Sequence, residues 1–423
     1  MSISEIYDIY LQYPSVVTDT RKLQANDFFF ALKGPNFNAN TFAFKALEAG
    51  AAYCVVDEPL STIATYYEGQ DQSQKEAALT KMIVVDDVLS TLQALAGHHR
   101  STFDIPFIAI TGSNGKTTTK ELVYAVLASH FKTYTTQGNL NNHIGVPLTI
   151  LSIKKDAQMA VIEMGANHQK EIESYCNYTL PTHGLITNCG KAHLEGFGGE
   201  EGVKKGKGEL FDYLRANHGT AFIMSDYDYL NTMAAGISEV IGYGTNTGKL
   251  QANAASVNGF LQVNFTKGFE INTIQTQLVG EYNLPNILAA VSIGIYFNVP
   301  AEKIKSAIEN YTPTNSRSQL LKWHHNDIIL DAYNANPSSM EAAISHFAET
   351  ENNPKIVILG DMFELGDLSA SEHASLGKLI ARFQFSKVLL VGNHMQHALI
   401  HLPQAYYFPD KFGLHNWLQD NPI

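Results

Sequence analysis

The stretch FIAITGSNGKTTTKELVYAVLASH, residues 107–130, constrains this chain more than any other. An apolar run ends in Thr111-Gly112, and a turn bounded by glycines follows, Gly112-Ser113-Asn114-Gly115. Lys116-Thr117 then opens a segment with Leu122, Val123, Val126 and Leu127 on one helical face. A strand that runs through a glycine turn into a helix directs backbone N–H groups and the positive helix end at one point, which suits a phosphate. In such a cradle Gly112, Ser113, Asn114 and Gly115 wrap the anion, Lys116 reaches the outer phosphates, and the Thr117 hydroxyl, with Thr118 behind it, faces Mg²⁺. The usual pattern, glycine, four residues, then Gly-Lys-Ser/Thr, requires glycine at 110, where this chain has Ile110. The loop is therefore a shortened form. A bare glycine turn before an ordinary helix is the competing reading, and the ordered set of strand, glycines, lysine and threonine weighs against it.

Around this loop the pattern alternates strands and helices, which implies parallel α/β sheets. DFFFAL (27–32), AYCVVD (52–57) and KMIVVD (81–86) read as strands, with helices at 41–50 and 88–100. The polar stretch 66–81 reads as a surface excursion. MAVIEMG (159–165), HGLITNCG (183–190) and TAFIMS (220–225) continue the central sheet, and residues 241–280 read as small antiparallel strands. From about Pro313 a further doubly wound unit is expected, with strands at 327–335, 354–361 and 387–392 and helices from Pro337 and Ser371. The expected fold is α/β in three domains, 1–103, 104–313 and 314–423, with the phosphate loop in the central parallel sheet and a Rossmann-like third domain. A chain of 423 residues is long enough for each to bury its own core.

Charge and cysteines narrow the class. A net charge of -12 argues against a nucleic-acid or anionic-membrane surface. Three cysteines, with no Cys-x-x-Cys, point to reduced thiols in a cytoplasmic protein. MSISEIYDIY lacks the basic start and apolar run of a signal peptide, and no apolar stretch approaches membrane-spanning length.

Four other places carry candidate chemistry, each with a plainer alternative. Glu163 ends an apolar strand beside a glycine turn, where an acid suits a metal or simply faces solvent. His193 follows another strand into the glycine-rich loop AHLEGFG and is either a ligand or a structural histidine. Lys204, Lys205 and Lys207 in GVKKGKGELF are, without other information, a solvated charge run. Asp331 ends a strand, with Tyr333, Asn334 and Asn336 before the helix at Pro337; this suits a ligand-facing loop or helix capping alone.

Taken together these motifs resemble the Mur ligase family over nearly the whole chain, and within it the branch that adds D-alanyl-D-alanine to UDP-N-acetylmuramoyl-tripeptide. GNLNNHIGVPLTIL (138–151), EMGANHQKEI (163–172), AHLEGFG (192–198), DAYNANPSSM (331–340) and LGDMFELG (359–366) carry the likeness, as does TDTRKLQANDFFFALKG (18–34) for the N-terminal domain. The short glycine loop is a trait of that family. The resemblance implies an ATP-dependent amide ligase of cytoplasmic peptidoglycan precursor synthesis, a monomer using two Mg²⁺ ions. It implies that Lys116 and Thr117 hold the ATP phosphates and one Mg²⁺, with Glu163 on that same ion. His193 would bind a second Mg²⁺, joined by Lys207 as a carbamylated lysine. Asn283 and Asn286 would line the adenine site, and Arg317 and Asp331 would close on ATP. Thr18, Asp19, Thr20 and Arg21 would grip the UDP-sugar, and Asn139, Asn141, Asn142, Asn334 and Asn336 would face substrate. The chain departs from the family at Tyr282, usually His, and at Asn38-Ala39-Asn40, often Asp-Gly-His. Relatives usually run on into a Lys-Gly-Ser segment, which implies a third domain short of a last strand and helix. Two other classes stay open on residue patterns: another amide ligase such as a folylpolyglutamate synthase, against which residues 1–100 argue, and a nucleotide switch, for which the Asn-Lys-x-Asp guanine motif is missing.

Overall fold

The structure is a computed structural model of the chain and describes residues 1–69, 71–314, 316–351 and 353–422. Two compact units emerge. The first comprises residues 1–109, 132–165 and 173–182; the second comprises 110–131, 166–172 and residues from 183 onward.

The first unit contains a parallel sheet of strands β1 (Val16–Val17), β2 (Phe28–Phe30), β3 (Tyr53–Val56) and β4 (Met82–Val84), in that order. Phe28, Phe29 and Phe30 are all fully buried, as expected of a parallel strand covered on both faces, which reads as an unbroken apolar run rather than an alternating one. Phe29, Cys54 and Val56 share a core with Phe44, Ala46, Ile63 and Met82. Helix α1 (Val88–Ser101) starts where the pattern placed it, with the Ser90 N–H donating to the Asp87 carboxylate. The stretch 66–81 is not wholly irregular: Gln72–Leu79 is a helix whose first N–H groups, on Ser73 and Gln74, donate to Asp71. None of its residues is fully buried, and only Ala78 and Leu79 at its end pack partly against the core, so no apolar stripe marks it.

A nine-stranded sheet is built from β5 (Phe107–Thr111), β6 (Thr133–Thr135), β7 (Met159–Glu163), β8 (His183–Ile186), β9 (Thr220–Met224), β10 (Glu239–Gly244), β11 (Leu250–Val257), β12 (Phe260–Lys267) and β13 (Thr273–Gln275). Its order is β13-β12-β11-β10-β9-β8-β5-β7-β6. Strands β8 to β11 pair in parallel, and β11, β12 and β13 antiparallel. The expected antiparallel run over 241–280 is thus confined to β11–β13, because β10 lies parallel to β9; composition does not encode strand direction. Helix α2 (Lys116–Ala128) follows the glycine loop, α3 (Glu200–Ala216) carries the lysine run, and α4 (Leu284–Tyr296) is buried almost throughout.

In the C-terminal part, β14 (Gln319–Trp323) and β15 (Asn326–Leu330) form a hairpin that pairs with no other described strand. The strand expected at 327–335 therefore stops at Leu330 and belongs to this hairpin, because the turn at His324, in left-handed backbone, folds the chain back on itself. Strands β16 (Ile356–Gly360), β17 (Lys387–Val391) and β18 (Tyr406–Phe408) form a separate parallel sheet. Helix α5 (Pro337–Glu349) begins at the expected proline behind an Asn336 capping box, and α6 (Ser369–Ile380) begins two residues earlier than the sequence suggests.

Asp226, just past β9, braces the turn between β10 and β11. Its carboxylate accepts from the N–H and hydroxyl of Thr245 at 2.6 Å each and from the Thr247 hydroxyl at 2.7 Å. Burial pushes its pKa up, but the bonds from Thr245 and Thr247 outweigh this and bring it from 3.8 to about 2. A depressed folded pKa contributes stability above 3.8 that is lost as the pH falls toward 2. Asp226→Ala is expected to cost about 1–2 kcal/mol at neutral pH after allowance for solvent screening. In urea unfolding, its gap to wild type should narrow as the pH drops below 3.8; a gap that does not change with pH would contradict the assignment.

Candidate active site

Two glycines shape the phosphate loop. Gly112 (φ +142°) and Gly115 (φ +79°) occupy backbone regions that disfavour a side chain. A Cβ at Gly112 would lie 2.0 Å from the Thr187 hydroxyl, and one at Gly115 2.6 Å from the Asn286 amide oxygen. The loop is braced from the segment after β8. The Ser113 N–H donates to the Asn188 carbonyl at 2.9 Å, the Asn114 N–H to the Asn188 side-chain oxygen at 3.1 Å, and the Thr187 hydroxyl to the Asn114 carbonyl at 2.6 Å. No side chain caps the start of α2, and Thr117 and Thr118 are buried in its first turn. The Lys116 ammonium lies back over the loop, donating to the carbonyls of Gly112 at 2.8 Å and Ser113 at 3.1 Å. The N–H groups of Ser113 and Asn114 are thus taken up by Asn188, and the uncapped helix end and a lysine charge are what the stretch brings to an anion.

Lys207 is the residue on which the plain sequence reading and the structure part most. It is 1% exposed. The lysine run lies on α3, whose buried residues are Val203, Gly206, Lys207, Glu209, Leu210, Phe211 and Leu214, with all but Glu209 recurring at the spacing of one helical face. Lys207 thus sits on the apolar face, whereas Lys205 is exposed and Lys204 pairs with Glu201 at 2.6 Å. That spacing was the legible signal for separating Lys207 from its neighbours. Gly206 lets the Phe197 ring approach to where a Cβ would stand 2.4 Å away. The Lys207 amine sits 4.8 Å from the centre of that ring and donates to the Ala166 carbonyl at 2.9 Å. Burial, and next the charge of Lys116, push its pKa well below the usual lysine value.

His193, in left-handed backbone at φ +54°, meets the Glu364 carboxylate through Nδ1. Burial lowers its pKa, Glu364 opposes this, and Lys116 and Lys207 both add to the lowering. The charges of Lys116 and Lys207 both act on His193, and that of Lys116 acts on Lys207.

Asn283 and Asn286 are buried and committed to bracing: Asn286 accepts from the Thr119 hydroxyl and donates to Asn283, which donates to the Val279 carbonyl. The Arg317 guanidinium stacks 3.8 Å from the Tyr333 ring. The Tyr282 hydroxyl meets Ser318 at 2.8 Å, and Ser318 donates to Asp331 at 3.4 Å. Asn336 caps α5 and exchanges amide hydrogen bonds with Asn114 of the loop, at 2.7 and 3.4 Å. Asn334 is exposed and accepts from the Ala335 N–H.

In the first unit, Glu163 is 1% exposed at the end of β7 and accepts from Asn141 at 2.7 Å. Asn142 caps the turn at Ile144 and Gly145, and Asn139 is exposed. Asp19 caps the turn Thr20–Lys22 and holds the Arg21 guanidinium through two bonds at 2.9 and 2.8 Å. Hydrogen bonds from Arg21 hold the Asp19 carboxyl down at about 2. Thr18 leads into that turn. At the departure Asn38-Ala39-Asn40, the Asn40 amide donates to Asp57 at 2.8 Å, and Lys33 pairs with Asp57 at 2.9 Å.

Sequence reasoning passed over Thr187, Asn188, Lys191, Ser338, Glu364 and Glu372. Ser338 accepts from the Lys191 N–H at 2.9 Å, and the Lys191 ammonium meets Glu372 at 2.7 Å. Asn188 was findable from its place after an apolar strand in TNCG, and Ser338 and Glu364 from lying within DAYNANPSSM and LGDMFELG; Glu372 carries no local mark.

Residues 110–294 match the family model of the Mur ligase middle domain, and residues 316–411 match that of the Mur ligase, glutamate ligase domain. The chain is 35% identical to the UDP-N-acetylmuramoyl-tripeptide–D-alanyl-D-alanine ligase of Bacillus subtilis, over 89% of this chain and 79% of that protein. It is 34% identical to the Escherichia coli protein of the same name, over 95% of this chain and 86% of that one. A crystal structure of MurF from Acinetobacter baumannii superposes with a TM-score of 0.85 at 29% identity, covering 96% of this chain and 88% of that one. On the loop and these likenesses, the chain belongs to the Mur ligase family.

Proposed function

We propose that the chain is an ATP-dependent ligase that joins D-alanyl-D-alanine to UDP-N-acetylmuramoyl-tripeptide, in the cytoplasm, for peptidoglycan precursor synthesis. The observation that carries this reading is the short glycine loop with the Lys116 ammonium folded over it, in a chain a third identical to ligases of that name. The working division is residues 1–103 for the UDP-sugar, 104–313 for ATP and 314–423 for a Rossmann-like closing domain, acting as a monomer. No described helix is long and apolar enough to cross a membrane.

The chemistry follows from charge. A carboxylate resists amine attack because its oxygen leaves poorly. One carboxylate oxygen of the tripeptide attacks the γ-phosphorus of ATP, ADP departs, and an acyl phosphate forms. The free amine of D-alanyl-D-alanine attacks the acyl carbon, phosphate leaves, and the amine gives up a proton. Lys116 and the N-terminal end of α2 offset the charge that builds as two anions meet. Thr18, Asp19, Thr20 and Arg21 hold the UDP-sugar; Asn139, Asn141, Asn142, Asn334 and Asn336 orient the acceptor; Asn283, Asn286, Arg317 and Asp331 serve the nucleotide.

On this reading Thr117 and Glu163 would hold one Mg²⁺, and His193 and Lys207 a second. Mg²⁺ takes oxygen donors, and the Thr117 hydroxyl and Glu163 carboxylate are of that kind. Lys207 as an amine is not, and as an ammonium it would repel the ion. Its burial and lowered pKa favour the neutral amine, the form that adds CO₂ to give an anionic carbamate and release one proton. A carbamate would offer two anionic oxygens, the donor type Mg²⁺ prefers, while the His193 nitrogen would be the weaker donor of the set. When bound, Mg²⁺ supplies charge neutralisation at the phosphoryl oxygens.

Acceptor choice tests the reading. Phosphate release is expected with UDP-muramoyl-tripeptide, ATP and D-alanyl-D-alanine together, and not when UDP-muramic acid without a peptide replaces the tripeptide. Equal rates with the two acceptors would reject it.

A further inference from the structure

We infer that Lys191 is a positioning residue for the phosphate loop: its N–H and its ammonium pin the C-terminal part to the segment Thr187–Lys191, and the other edge of that segment sets the shape of the loop. The inference rests on the proposed ligase reading only for what the loop binds, a nucleotide. One edge of the segment is committed to the loop. The Asn188 carbonyl and side-chain oxygen accept from the Ser113 and Asn114 N–H groups, and its amide donates to the Asn114 carbonyl at 3.1 Å. The Ser113 hydroxyl donates to the Gly190 carbonyl at 2.9 Å. Lys191, the next residue, serves the C-terminal part instead. Its N–H donates to the Ser338 hydroxyl at 2.9 Å, in the first turn of α5, and its ammonium donates to the Glu372 carboxylate at 2.7 Å, in α6. Gly190 lies between the two edges, and a Cβ there would stand 2.9 Å from the Ser338 hydroxyl oxygen. The C-terminal part therefore rests directly on the backbone that braces the loop.

Lys191 lies in the part matching the middle domain, Ser338 and Glu372 in the part matching the glutamate ligase domain, and all three belong to one compact unit. Of the two carboxylates near the Lys191 ammonium, Glu372 is the one that acts. It is 14% exposed and at hydrogen-bond distance, whereas Glu200 is 59% exposed and 3.8 Å away, where water screens it. The bond to Glu372 is also the largest influence raising the Lys191 pKa, so the pair is ionic at neutral pH. Only two residues separate Asn188 from Lys191, too short a stretch to absorb a shift at one edge without passing it to the other. The loop therefore keeps its shape while the C-terminal part is pinned. By linkage, docking of that part favours nucleotide on the loop, and nucleotide favours docking by the same factor.

The test uses the full chain with two readouts: amide hydrogen exchange of the peptide that spans the loop, and calorimetric titration with ADP in the presence of Mg²⁺. Lys191→Met keeps the aliphatic stem and removes the charge. In this variant the loop amides should exchange about fivefold faster than in wild type, and ADP should bind about fivefold more weakly. Glu372→Ala should do the same. The double variant should be no worse than either single one, because all three lose one and the same interaction. Glu200→Gln should match wild type in both readouts, and circular dichroism should be unchanged throughout. Wild-type loop exchange in Lys191→Met would overturn the inference. So would faster exchange with unchanged ADP affinity, effects of the two single variants that multiply in the double, or a Glu200→Gln variant that behaves like Lys191→Met. Failure of wild type to bind ADP would instead sink the nucleotide reading of the loop, and the exchange measurement would still decide whether Lys191 shapes it.

Discussion

Lys116→Ala is expected to abolish ligation, with phosphate release reduced by at least about 10³-fold, equivalent to about 4 kcal/mol of barrier. The substituted side chain is the one ammonium that the loop itself holds, on the carbonyls of Gly112 and Ser113. Its loss removes a full charge where the attacking carboxylate and the γ-phosphate must approach, and preorganised charge at such a place acts mainly on the transition state. The fold should survive. Lys116 is the first residue of α2, the brace from Asn188 and Thr187 does not involve its side chain, and alanine is a good helix former. Circular dichroism should therefore match wild type. Activity within about tenfold of wild type, a barrier change near 1.4 kcal/mol, would remove the phosphate-cradle assignment.

Lys207→Ala should be nearly as severe, for a different reason. As a carbamate, Lys207 would supply the anionic oxygens that make a site beside His193 habitable for Mg²⁺. Alanine leaves the imidazole without them. Acetate, a carboxylate small enough for the vacated space, should partly restore turnover. Removing dissolved CO₂ should slow wild type, and bicarbonate should bring it back, while Lys207→Ala should respond to neither. Lys204→Ala, on the same helix but ion-paired with Glu201 away from the buried face, should stay active. Wild-type turnover by Lys207→Ala at saturating Mg²⁺ would return the lysines to a mere charge run. A further check comes from Gly206: alanine there would collide with the Phe197 ring that lies against Lys207.

Much of this molecule was legible because its rules are local. The strand, glycine turn and helix of residues 107–128 follow from an apolar run, two positions that need left-handed backbone and a helical stripe, all settled within a few residues of each other. The start of α5 at Pro337, the start of α1 at Val88 and the apolar run Phe28–Phe30 were determined in the same way. Even the burial of Lys207 is written in the spacing of α3. Other features lie outside any local rule. The direction of β10, the isolation of the β14–β15 hairpin and the exposed helix at Gln72–Leu79 depend on which surface the chain happens to meet or leave free. The site partners are further still from local: Asn114 and Asn336 are 222 positions apart, and His193 and Glu364 are 171 apart. A side chain's own neighbours determine its backbone and its face. Only the folded chain decides which distant carboxylate or amide completes it, because that partner is chosen by where two separately formed elements come to rest.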